Sequence, residues 1–179
     1  SCSEEGCKED GQEGHQHQDQ ILMEVTLDRE EGLAAAERGA DQQISVHENS
    51  RWHDHGSRSK RSLRLRWADS IHGAMAEAAI SKLLGLPVTP GKTGRITYGD
   101  IGGFIEVRAT EWNSGHLIIY KSDPVDVPFI LVVGHYPKFR AAGFVINKDL
   151  DDGLWRADKD PASWWIPQSA LSPMEDLRA

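Results

Sequence analysis

Apolar positions recur along this chain in two ways, at helical spacing in the first half and in short strand-like runs in the second. A first helix is predicted from 28 to about 43. Asp28 is a suitable N-cap, Glu30 and Glu31 sit in the first turn, and Leu27, Leu33, Ala34 and Ala36 are the apolar anchors, with Gly32 and Gly39 as weak points. A second, stronger helix is predicted over 67–84. There Ile71, Ala74, Met75, Ala78, Ala79, Ile80 and Leu83 make one broad apolar face that Gly85 and Pro87 end. Four β-like runs follow at 104–110, 116–121, 129–133 and 139–146. Asn113, Ser114 and Gly115 predict a hairpin turn between the first two runs, and Pro-punctuated loops separate the others. Trp155, Trp164, Trp165 and Pro167 predict an aromatic cap over the sheet, with a short helical stretch at 170–177. The order of elements predicts an α+β (α/β) fold, a mixed four- to five-stranded sheet flanked by helices.

Length and composition fit one domain with a core: 179 residues, 39% hydrophobic and 27% charged. No apolar run approaches the roughly 20 residues that a membrane-spanning helix needs. The chain divides into an acidic tail at 1–20, too polar to order itself, an N-terminal helix and basic connection at 21–64, and an α/β core at 65–179. Cys2 and Cys7 both lie in the tail, so a disulfide-built secreted fold is not indicated and a reducing, cytoplasmic setting is expected. Chain ends leave targeting open, since the sequence opens on Ser1 without a visible leader pattern.

The net charge of −8 hides an asymmetry. Residues 1–50 carry 3 Lys/Arg against 13 Asp/Glu, residues 51–140 carry 13 against 8, and residues 141–179 carry 4 against 7. Within the basic middle, Arg58, Lys60, Arg61, Arg64 and Arg66 form a run suited to phosphate neutralisation, or to a plain solvated linker. Other signals are weaker. Cys2, Cys7, His15 and His17 are zinc-type ligands, but the His-x-His spacing is not that of a finger, and an acidic tail is the better reading. His53, His55 and His72 are titratable groups near the basic stretch, and the helix surface is the expected place of His72. Trp52, Trp112 and Trp155 have the chemistry to stack on bases, whereas Trp164 and Trp165 are expected to pack. Gly91, Lys92, Thr93 and Gly94 lack the earlier glycine and following helix of a phosphate loop.

Chemistry concentrates in GDIGGFIEVRAT at 99–110. Alternation along a strand puts Glu106 and Arg108 on one side and Ile105 and Val107 on the other. Gly102 and Gly103 allow a bend that returns Asp100 toward Glu106. Two carboxylates with a cation two residues on can take a hard divalent ion and leave positive charge facing a phosphate. Glu77, among the alanines of the second helix, is a third acid that would join them if it pointed at the sheet edge. All-oxygen ligation favours Mg²⁺ or Mn²⁺.

In HGAMAEAAISKLLGL, GDIGGFIEVRAT, FILVVG, FRAAGFV and WWIPQSAL, over roughly 65–172, the chain resembles the PD-(D/E)XK nuclease superfamily, and within it small phage- or prophage-encoded proteins. The resemblance implies a restriction-endonuclease-like core and a divalent-metal site hydrolysing phosphodiester bonds in DNA. Glu77 stands at the family's helix acid, Asp100 at its metal-binding aspartate, Glu106 at its second metal acid, and Arg108 at its lysine position. Arginine in that place supplies charge but not a base. The expected activity is thus a Mg²⁺- or Mn²⁺-dependent deoxyribonuclease, with DNA as partner and the host cytoplasm as its place if phage-encoded. The alternative is a catalytically silent DNA-binding, or a structural or accessory, phage protein of the same fold. A homo-oligomer and contacts with other phage proteins stay open.

Overall fold

The computed structural model describes residues 23–48, 62–89, 99–150 and 163–177. The predicted acidic tail, most of the basic connection and Trp52 and Trp155 lie outside them. Helix α1 (Arg29–Glu48) begins where Asp28 predicts, through a reciprocal capping box. The Glu31 amide donates to Asp28 Oδ1 at 2.9 Å, and the Asp28 amide donates to Glu31 Oε2 at 2.8 Å. Helix α2 (Leu63–Leu84) starts four residues earlier than predicted because Ser62 caps it, its hydroxyl accepting from the Leu65 amide. It stops at Gly85, which takes the left-handed conformation (φ 66°) expected of a C-cap.

Among the described residues there are six strands, one before the helices and five after them: β1 (Met23–Thr26), β2 (Glu106–Thr110), β3 (Leu117–Tyr120), β4 (Pro128–His135), β5 (Lys138–Ile146) and β6 (Ser163–Ile166). A mixed four-stranded sheet has the order β1-β5-β4-β2, with β2 parallel to β4 and the other neighbours antiparallel. The predicted hairpin between the first two strand-like runs is not formed. Its turn exists, closed by the Gly115 amide on the Trp112 carbonyl at 2.8 Å, but β3 leaves the sheet and pairs with β6 in a separate two-stranded ribbon. The apolar side chains explain this: Leu117 and Ile119 are fully buried under the sheet rather than beside it. Strand β1 was not expected, being four residues long, and the tryptophan segment is a strand rather than a loose cap. After β6 comes a 3-10 turn at Gln168–Ala170 and a single helical turn, α3 (Met174–Leu177).

Strand β4 explains the layering. Ile130 and Val132 face one way, into a core with Ala76, Ala79 and Ile80 of α2, while Phe129, Leu131 and Val133 face the other, into a core with Leu117, Ile119 and Ile166 of the ribbon. A strand covered on both faces reads as an unbroken apolar run, as FILVV does. The sheet therefore lies between α2 and the ribbon. Helix α1 packs along α2, where Gly39 lets the backbones meet; a Cβ there would stand 2.6 Å from the Ser70 carbonyl oxygen. The architecture is α+β, with no described helix long and apolar enough to cross a membrane.

Candidate functional site

Among the described strands β2 lies at the edge of the sheet, and its alternation places the chemistry. Val107 enters the core under α2, while Glu106 and Arg108 share a face with their β4 partners Phe129 and Leu131, on the ribbon side. The bend that leads into β2 is the one anticipated from its glycines. Gly102 (φ 60°) and Gly103 (φ 81°) turn the chain so that Ile101 bridges Ile105 and the Asp100 amide donates to the Ile105 carbonyl. Gly99 must also be glycine, since a Cβ there would lie 2.4 Å from the Phe104 amide nitrogen.

Each acid of the bend holds the backbone amide of a residue adjoining the other. The Val107 amide donates to Asp100 Oδ2 at 2.9 Å, and the Gly99 amide donates to Glu106 Oε1 at 3.2 Å. Asp100 and Glu106 are thus gathered at one turn. Glu106 is only 5% exposed, and a carboxylate so buried needs a compensating charge. Arg108 supplies it with Nη1 at 3.4 Å from Glu106 Oε2. The same guanidinium bonds more closely through Nη2 to Asp123 Oδ2, at 2.9 Å, and lies 5.3 Å from the centre of the Phe129 ring. Its Nε is buried without a hydrogen-bond partner.

Asp123 is the residue that sequence reasoning missed. It follows β3, and its Oδ2 also accepts from the Tyr120 amide at 2.9 Å, so one oxygen ties the ribbon to the arginine of the sheet. The only sequence signal was an aspartate before a proline, which reads as a turn.

Glu77 is not brought to this cluster. Helix α2 covers the Val107 face of the sheet, whereas Glu106 projects from the opposite face. Glu77 instead pairs with Arg38 of α1 at 3.6 Å, and Arg38 donates to the Ala74 carbonyl at 2.6 Å. The expected gathering of three acids is corrected accordingly: among the described residues, no three His, Cys, Asp or Glu side chains form a group that could hold a metal. Donor chemistry at the bend still fits a hard cation, because magnesium is commonly held by only one or two carboxylates, with water and substrate phosphate completing its shell.

Of the basic run, Arg58, Lys60 and Arg61 lie outside the described residues. Arg64 is exposed and Arg66 half-buried, both in the first turn of α2. His72 is half-buried on α2: its Nε2 is 2.8 Å from the Gly134 carbonyl oxygen, and its ring is tilted against Phe139. Trp164 packs against the ribbon core as expected, with the Lys121 ammonium 5.8 Å from its ring centre, but Trp165 is 45% exposed. An open apolar groove of about 280 Å³, lined by Leu83, Leu84, Leu86, Phe104, Ile105 and Leu177, lies on the α2 side.

Compared with family models, with curated proteins and with solved structures, the chain matches none. The resemblance to PD-(D/E)XK nucleases therefore stands on the motifs quoted above.

Proposed function

We propose that this protein is a Mg²⁺- or Mn²⁺-dependent deoxyribonuclease with a restriction-endonuclease-like core, hydrolysing phosphodiester bonds in DNA. The observation that carries this reading is the bend of Asp100 and Glu106 with Arg108 beside it: two oxygen donors and one permanent cation at a sheet edge. Asp100 and Glu106 would hold the ion, which when bound supplies Lewis acidity toward a phosphate oxygen and toward water. Glu77, facing α1, takes no part as a ligand. The protein's own contribution is mostly electrostatic. Glu106, fixed by the Gly99 amide, keeps its carboxylate at the bend without rotamer freedom, and Asp100 is fixed likewise by Val107. Arg108 lends its charge to the phosphate as negative charge grows on it, and it moves no proton because a guanidinium stays protonated in a protein. Arg58, Lys60, Arg61, Arg64 and Arg66 would hold the DNA backbone without reading sequence. A phage or prophage origin and action in the host cytoplasm belong to the same reading.

A second reading has its own observation. Arg108 is engaged by two carboxylates, Glu106 and Asp123, which suits a catalytically silent DNA-binding or accessory phage protein. One experiment separates them. Labelled linear, circular and single-stranded DNA is incubated with Mg²⁺ or Mn²⁺, beside EDTA and the Asp100→Asn and Glu106→Gln variants. Metal-dependent cutting that both variants lose is the expected result. No cutting with any ion, alongside DNA binding that weakens as salt rises, would replace the nuclease with the silent binder.

A further inference from the structure

We infer that Asp123 is a positioning residue which holds Arg108 off Glu106 and thereby keeps the Asp100–Glu106 pair receptive to a divalent cation. The inference rests on the proposal that this pair takes the ion. Three groups compete within one small space. Arg108 is a tethered cation, and nothing but geometry decides which carboxylate it neutralises. The distances decide: Nη2 donates to Asp123 Oδ2 at 2.9 Å, the length of a strong charge-assisted hydrogen bond, whereas Nη1 donates to Glu106 Oε2 at 3.4 Å, a longer and weaker one. The stronger claim on the guanidinium is that of Asp123.

Asp123 is itself held in place. Its Oδ2 accepts the Tyr120 amide at 2.9 Å, while its own amide donates back to the Tyr120 carbonyl at 2.9 Å, so the carboxylate sits in a closed turn at the end of β3. Phe129 lies 5.3 Å from the guanidinium carbon. Arg108 Nε, buried with no acceptor, marks a side chain drawn to Asp123 without satisfying all its donors. Were Asp123 neutral, the guanidinium would have one anionic partner left, Glu106, and would settle on it as a built-in substitute for an added ion. The paired arrangement costs the site little, because Arg108 remains near enough to Glu106 to offset its burial in the absence of metal.

The test is Mn²⁺ binding to the full chain by calorimetry, without DNA, for the wild type, Asp123→Asn, Arg108→Gln, the double variant, Asp123→Glu and Glu106→Gln. Thermal unfolding of each variant establishes that it is folded. Arg108→Gln should bind Mn²⁺ about tenfold tighter, and Asp123→Asn about tenfold weaker, each the size of one lost charge contact. In the double variant the affinity should return to that of Arg108→Gln, since Asp123 has no arginine to hold, and Asp123→Glu should recover most of the wild-type affinity. If Asp123→Asn weakens binding equally with and without Arg108, Asp123 acts only as a distant negative charge and the positioning role is overturned. If Mn²⁺ binds but Glu106→Gln leaves the affinity unchanged, or if neither the wild type nor Arg108→Gln binds it, the metal reading of the pair fails and takes the inference with it.

Discussion

The two faces of the central sheet are built from the same strands yet obey different rules. On the α2 face the contacts are apolar and small: Ala76, Ala79 and Ile80 close over Val107, Ile130 and Val132 with almost no exposure. On the ribbon face the core is equally apolar at its centre, but its β2 edge carries Glu106, Arg108 and Asp123 in a partly buried ionic cluster. The first face stabilises the fold. The second gives up some of that stabilisation to keep charged groups together, which a structural sheet has no reason to do, since buried ion pairs rarely outperform apolar packing.

This contrast can be broken from either side, and the apolar side should respond most. Ile130→Ala removes a fully buried side chain facing α2, and a loss of about 3 kcal/mol is expected from chemical denaturation, with the midpoint moving and the slope unchanged. Arg108→Ala removes the cation that pairs with the buried Glu106 and should cost about 2 kcal/mol, less than for a sealed pair because the arginine is itself partly exposed. Adding Glu106→Gln to it should recover part of that loss, and a purely additive pair would show the cluster to be energetically idle. Away from both faces, Asp28→Ala deletes the capping box of α1 and should cost about 1 kcal/mol by the same measurement. The smallest effect is a matter of pH. Glu31 has its pKa lowered, chiefly by its hydrogen bond from Lys82 and then by the Asp28 amide. A carboxylate with a lowered folded pKa stabilises above its ordinary value and loses that contribution as the pH falls through the lowered one. Lys82→Met should therefore remove a slight stabilisation that is present at neutral pH, flatten the acid-side slope in stability, and make no difference once the pH lies below the lowered pKa.

Much of this arrangement could be read before the fold was known, and for physical reasons. Local chemistry announced itself: Asp28 with Glu31 begins a helix, Gly85 ends one, and the Gly102–Gly103 bend returns Asp100 to Glu106. Alternation along β2 correctly separated Glu106 and Arg108 from Val107. What could not be read was anything decided across the sheet. Which strand β2 pairs with depends on long-range burial, so Asn113, Ser114 and Gly115 gave a turn but not a hairpin. Glu77 looked like a partner for the acids because helix residues carry no label for the layer they face; Arg38, from another helix, was the group that claimed it. Asp123 was invisible for the same reason, being 15 positions from Arg108 and joined to it only when the ribbon docks.

The most direct measurement is a crystal structure of the protein soaked in Mn²⁺, read from anomalous difference density. The account predicts a peak within coordinating distance of carboxylate oxygens of both Asp100 and Glu106, lost in Glu106→Gln crystals. Ordered density for both side chains with no peak between them at saturating Mn²⁺ would contradict it.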